Sequence, residues 1–124
     1  MIYTSYFSYA RHLRGTMFSI AITQPKFMRL PIIYDFAPTP MLLRDFKDGR
    51  VSEDEYIERF YNETLEHVKD STVEMLKNLS KDKYVFLLCW EGKNKFCHRH
   101  LVAEWLSGRL GEPVEEYKDP NTKD

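Results

Sequence analysis

Residues 84–89, Tyr-Val-Phe-Leu-Leu-Cys, form an unbroken apolar run that admits few structural readings. It falls far short of the roughly 20 residues a membrane-spanning helix needs. Nor does it alternate polar with apolar side chains, as a strand with one wet face does. A run of this length and composition is the pattern of a strand covered on both faces, and it is expected to be the central strand of a parallel α/β sheet. The residues downstream fit that expectation. A polar loop, Glu91-Gly92-Lys93-Asn94-Lys95, leads into a helix over residues 97–110 whose buried face would be Leu101, Val102, Trp105 and Leu106, ending before Gly111. This order places Cys89-Trp90-Glu91 and Cys97-His98-Arg99 beyond the carboxyl end of a strand, where parallel α/β sheets bind ligands.

The rest of the chain supplies the remaining layers. Residues 2–7 and 17–23 are rich in β-formers, and residues 10–14, closed by Gly15, suit a short helix or turn between them. Four prolines, at 25, 31, 38 and 40, remove backbone donors across residues 24–40. They make that stretch a long irregular connection with room for a short strand at 32–34. Residues 41–47 suit a short helix ended near Gly49. Ser52-Glu53-Asp54-Glu55 is a capping box, and Tyr56, Ile57, Phe60, Tyr61, Leu65, Val68, Val73, Leu76 and Leu79 then recur at helical spacing. A break is expected near Asp70-Ser71-Thr72, residue types that favour caps over helix interiors. Residues 113–117 read as an edge strand and 118–124 as a loose tail. The whole, residues 1–124, is expected to be one α/β domain around a mostly parallel sheet of about four strands.

Charge narrows the partners. Eighteen basic residues against nineteen acidic ones leave no global field to gather nucleic acid or an anionic membrane, so any anion must be held by a local site. No apolar run is long enough to span a membrane, and the opening residues lack the basic flank and cleavage pattern of a signal peptide, so a cytoplasmic location is expected. Two cysteines in such a chain are expected to be thiols rather than a structural disulfide, and Cys89-x7-Cys97 is not a CxxC spacing.

The corner carries chemistry-bearing residues, each with a plainer alternative. Glu91, beside Trp90, is placed to be partly desolvated and to act as acid or base; otherwise it is a solvated loop glutamate. Cys97 opens a helix, where unpaired amides favour a thiolate, and is a candidate nucleophile; Cys89, ending an apolar strand, is a candidate contact or simply buried filler. His98 is a candidate proton-transfer group, or else bonds a nearby carbonyl, while His100, two residues on, points elsewhere. Arg99 offers a planar fork for phosphate or carboxylate, its rival being a structural pair with Glu91 or Glu104. Trp90 can stack on a ring, whereas Trp105 belongs to the core; Thr4, Ser5 and Tyr6, at the end of the first strand, are candidate ligand contacts bordering the same crevice.

Leu88-Cys89-Trp90-Glu91 followed by Phe96-Cys97-His98-Arg99 and the helix to Leu106 resembles the family catalogued as domain of unknown function 488, which pairs a Cys-x-Glu at a strand end with a Cys-His-Arg opening a helix. The resemblance takes in the opening residues 2–7 and Ala37-Pro38, and it implies a small Rossmann-like three-layer domain without assigning an activity. Where members of the larger branch carry Asp-Val-Arg and then proline after the second strand, this chain has Ala21-Ile22-Thr23 before Pro25, which sets a shared substrate in question. The favoured expectation is a small enzyme acting by hydrolysis or transfer on a nucleotide-like or phosphate-bearing small molecule. In it Arg99 clamps the anion, Glu91 is acid or base, and Trp90 or Tyr6 stacks. The alternatives are a non-catalytic module binding a nucleotide or nucleic-acid end, and a structural zinc corner through Cys89, Cys97 and a histidine. The favoured reading contains no metal and no cofactor.

Overall fold

A computed structural model of the chain describes residues 1–92 and 95–118. Four strands, β1 (Ile2–Tyr6), β2 (Thr16–Ser19), β3 (Val85–Cys89) and β4 (Glu115–Glu116), form one sheet in the order β2-β3-β1-β4, and every neighbouring pair is parallel. The apolar run is β3, an interior strand with all five residues buried. The register sets Tyr6 opposite Cys89 and Ser19 opposite Leu88, so the carboxyl ends of β1, β2 and β3 open on the same edge.

Side chains leave the sheet alternately and fill two cores. Val85, Leu87 and Cys89 of β3 join Ile2, Phe18 and Ile20 against the helices, whereas Phe86 and Leu88 face Phe7, Ala10, Leu13 and Ala21 on the other side. The helical face carries α1 (Pro40–Lys47), α2 (Glu53–Glu63), α3 (Asp70–Leu79) and α4 (His98–Leu110). A 3-10 segment, Phe7–His12, packs on the opposite face with Met28 and Leu30 of the proline-rich connection. The result is a three-layer α/β domain of small Rossmann-like form.

Local signals explain most boundaries. Ser52 and Glu55 exchange both bonds of the capping box at the start of α2, Thr39 caps α1 through the Leu42 amide, and Gly111, at φ 69°, takes the left-handed position that stops α4. Gly15 is fixed by space: a Cβ there would collide with the Tyr84 carbonyl beside which β2 begins.

Four expectations are adjusted. The strand expected over 17–23 ends at Ser19, because the Ser19 hydroxyl bonds both the carbonyl and the amide of Ala21 and turns the chain outward. The short helix or turn expected at 10–14 is a 3-10 segment that begins earlier, at Phe7, and ends at His12. The helical break expected near Asp70-Ser71-Thr72 is longer: it begins at Thr64, whose hydroxyl is drawn to the Ala37 carbonyl, and ends where Asp70 opens α3. At 32–34, Ile32 makes only a single bridge, to Ser19, before a 3-10 turn. Of the tail expected over 118–124, residues 119–124 lie outside the described residues.

Candidate functional site

Beyond the carboxyl ends of β2 and β3 lies a cavity of about 420 Å³. Ala21, Ile22 and Thr23 wall it where the chain leaves β2, and Trp90 and Glu91 where it leaves β3. Cys97 and His98 contribute from the start of α4, Phe96 from just before it, Phe46 and Lys47 from α1, and Tyr56 from α2. Arg59 fixes α1 to α2: Nη1 donates to Asp45 at 2.9 Å and Nε to Glu63 at 2.6 Å, holding the carboxyls of both residues below the usual range. The rings of Phe46, Tyr56 and Phe96 then meet at centroid distances of 5.0–5.4 Å and make one wall aromatic. Trp90, 48% exposed, is held on the other side by an edge contact to Phe7 and by its indole N–H, which donates to Thr23 Oγ1 at 2.9 Å.

The predicted residues therefore divide. Glu91, Cys97, His98 and Trp90 share this cavity, whereas Arg99, Cys89, Thr4, Ser5 and Tyr6 are not among its lining residues. Arg99 is fully buried with its donors engaged. Nε and Nη2 grip the Glu116 carboxylate at 2.9–3.2 Å, Nη1 donates to the Glu91 carbonyl and to Cys89 Sγ at 3.0 Å, and Nη2 reaches the Gly92 carbonyl at 3.2 Å. Thr4 donates to the same carboxylate at 2.7 Å, and the Tyr6 ring lies 5.4 Å from the guanidinium carbon. The expected anion clamp is thereby corrected. A guanidinium whose hydrogen bonds are spent inside the protein is a tie between β4, the loop after β3 and α4. The rival expectation, a pair with Glu91, holds only through that residue's carbonyl; the ionic partner is Glu116. Ser5 is likewise buried.

His98 faces both ways. Its Nε2 lies 2.6 Å from the Ile20 carbonyl and must be the protonated nitrogen there, which leaves Nδ1 as an acceptor 3.7 Å from Cys97 Sγ. Burial, outweighing that carbonyl, pushes its pKa down to about 4, so the ring is neutral at physiological pH. Tyr56, a lining residue of the cavity, has its phenol pKa raised, first by burial and then by the Glu91 carboxylate. Glu91 itself is exposed, as in the plainer of its two readings, a solvated loop glutamate, and not partly desolvated.

The Sγ atoms of Cys89, at the end of β3, and Cys97, the N-cap of α4, are brought into contact across the corner, with their Cα atoms 7.6 Å apart. Their sulphurs and a Glu91 oxygen lie within 4.8 Å of one another, a donor set compatible with a metal only if both sulphurs are reduced to thiolates.

Lys47, Phe46, Tyr56, Phe96 and Thr23 belong to the site but were not among its expected residues. The helical spacing of Tyr56 reads as core, and only its hydroxyl hints otherwise. Ala21-Ile22-Thr23, the stretch that differs from the larger branch, proves to be cavity wall.

Among the described residues no helix is long and apolar enough to cross a membrane. Residues 28–110 match the family model described as the active DUF488-N3 subclade, a span that contains both the Cys89-Trp90-Glu91 and the Cys97-His98-Arg99 motifs. Neither a curated protein nor a solved structure matches the chain.

Proposed function

The chain belongs to the DUF488 family, and we propose that within it this protein is a small cytoplasmic enzyme acting on a nucleotide-like ligand held in the cavity after β2 and β3. The observation that carries the reading is the composition of that cavity. A carboxylate, Glu91, and a protonated phenol, Tyr56, stand beside an aromatic wall and an exposed indole. A planar ring stacks favourably on Phe46, Phe96 or Trp90, and the volume lies within the usual range for small-molecule sites. The match to the active DUF488-N3 subclade supports catalysis over mere recognition.

In this reading Glu91 is the acid or base. Its exposure beside the cavity places the carboxylate to take a proton from water or from a substrate hydroxyl. Tyr56 donates a hydrogen bond to a ring oxygen or nitrogen, and Lys47, exposed at the rim, meets a phosphate in the place of Arg99. Ala21-Ile22-Thr23 make the β2 side of the cavity largely apolar, which favours the ring over a second anionic group.

The test uses a Trp105→Phe background, so that Trp90 is the sole indole. Nucleosides and their mono- and diphosphates are titrated against Trp90 fluorescence, and base release and phosphate release are followed by chromatography. A ligand that quenches Trp90 and is turned over, with turnover lost and quenching kept in Glu91→Gln, is the expected result. Quenching without turnover by the parent protein would convert the reading to a binding module. No quenching by any ring-bearing ligand would end it.

A further inference from the structure

The Cys89–Cys97 pair is placed asymmetrically, and the asymmetry has a chemical meaning. Cys97 lines the cavity and is 3% exposed, whereas Cys89 is wholly enclosed behind it. Behind Cys89 stands the Arg99 guanidinium, with Nη1 3.0 Å from Cys89 Sγ. One cysteine borders the cavity, and the sulphur of the other is backed by a permanent positive charge. From this arrangement we propose that Cys89 and Cys97 are a reversible dithiol–disulfide couple that exchanges with small thiols and disulfides through the cavity, Cys97 being the attacked or attacking sulphur and Cys89 the resolving one.

The steps balance without any further reagent. In the reducing direction a small thiolate, RS⁻, enters the cavity and attacks Cys97 Sγ. The S–S bond to Cys89 breaks, a mixed disulfide Cys97–S–S–R forms, and the electron pair leaves on Cys89 as a thiolate beside Arg99. A second RS⁻ attacks the R sulphur, giving RSSR and the Cys97 thiolate, and both protein sulphurs then take up or share protons from water. In the oxidising direction the Cys97 thiolate attacks RSSR and releases RS⁻. The Cys89 thiolate then attacks Cys97 Sγ, closes the internal disulfide and expels the second RS⁻. The couple gives two electrons to the small disulfide, and two thiols appear. A thiolate stabilised by an adjacent guanidinium is a better leaving group, which directs attack to the far sulphur, Cys97. The same placement gives His98 Nδ1 a use in the reduced form, since it faces the Cys97 thiol as a hydrogen-bond acceptor.

The inference concerns the sulphurs and the opening that reaches them, and it stands whether or not a nucleotide-like ligand uses the cavity. The experiment uses reduced wild type, Cys89→Ser and Cys97→Ser, each treated with oxidised glutathione at neutral pH and quenched with acid at intervals for intact mass and peptide mapping. Wild type is expected to lose two hydrogens and carry glutathione only transiently. Cys89→Ser is expected to accumulate one glutathione, mapped to Cys97, because nothing resolves it. Cys97→Ser is expected to react far more slowly. Cys89→Ala repeats the trapping should the serine variant be poorly folded. Equal labelling of Cys89 in Cys97→Ser, or stable adducts on wild type without an internal bridge, would overturn the assignment. So would one zinc bound per reduced chain with both thiols shielded from glutathione, which would make the pair a metal site.

Discussion

Cys97, His98 and Arg99 are consecutive, yet the first two serve the cavity and the third serves the sheet. Successive helical residues are rotated by about 100°, so a helix entering at the sheet edge delivers His98 towards the Ile20 carbonyl and Arg99 under the loop after β3. Glu91 divides in the same way within one residue, its carbonyl accepting from Arg99 while its side chain lines the cavity. The corner thus has a locked half, where Arg99, Glu116 and Thr4 satisfy one another, and an open half, where Glu91, Tyr56, Cys97 and Trp90 face a hollow. The closed network supplies the rigidity that keeps the open side chains in place, a division expected where a site must be preorganised by the residues behind it.

The largest effect should fall on the locked half. Arg99→Met leaves Glu116 without its ionic partner and the Glu91 and Gly92 carbonyls without their donor. Removing one member of a buried pair costs about 3–5 kcal/mol, and because Glu116 is partly exposed the lower part of that range is expected in urea denaturation. A variant within 1 kcal/mol of wild type, on the order of an ordinary surface change, would show that Arg99 is not what ties the corner. Next comes His98. Its pKa falls from 6.5 in the unfolded chain to about 4 when folded, so its contribution is fully present above pH 6.5 and is lost as pH drops towards 4. At about 1.4 kcal/mol per pKa unit, unfolding free energy should fall by about 3 kcal/mol across that window. His98→Asn should flatten the profile between those limits, and an unaltered slope would assign the pH dependence to other groups.

Legibility in the sequence depends on which interactions are local. The β3 run, the Ser52 capping box, the Gly111 stop and the meeting of Trp90, Glu91, Cys97 and His98 at one strand edge depend on residues near in sequence, and the pattern reveals them. Glu116 is seventeen residues beyond Arg99, in a two-residue edge strand brought alongside β1 only by folding, and an isolated acidic pair near a chain end gives no sign of such a partner. The aromatic wall is hidden for another reason. Tyr56 has the helical spacing of a core residue, and that periodicity is the same whether a ring packs against its neighbours or borders a hollow. The contact of the two sulphurs escapes the sequence because compartment and spacing argue from custom, whereas the sulphurs are brought together by where a strand ends and a helix begins.

A finer comparison sets one change on each side of the divide. Thr4→Val keeps shape in the locked half and removes a buried hydroxyl that donates to Glu116 at 2.7 Å. Hydrogen bonds to charged acceptors contribute about 1.5–3 kcal/mol, but Glu116 keeps Arg99, so a loss near or slightly below the bottom of that range is expected. Glu91→Gln changes the open half, where the side chain is exposed and its carbonyl, the part Arg99 holds, is untouched. Its effect on stability in urea denaturation should therefore stay within about 0.5 kcal/mol, as for surface substitutions. If Glu91→Gln instead destabilised the protein as much as Thr4→Val, the carboxylate would be part of the lock, and the separation of a rigid half from a working half would fail at the residue that joins them.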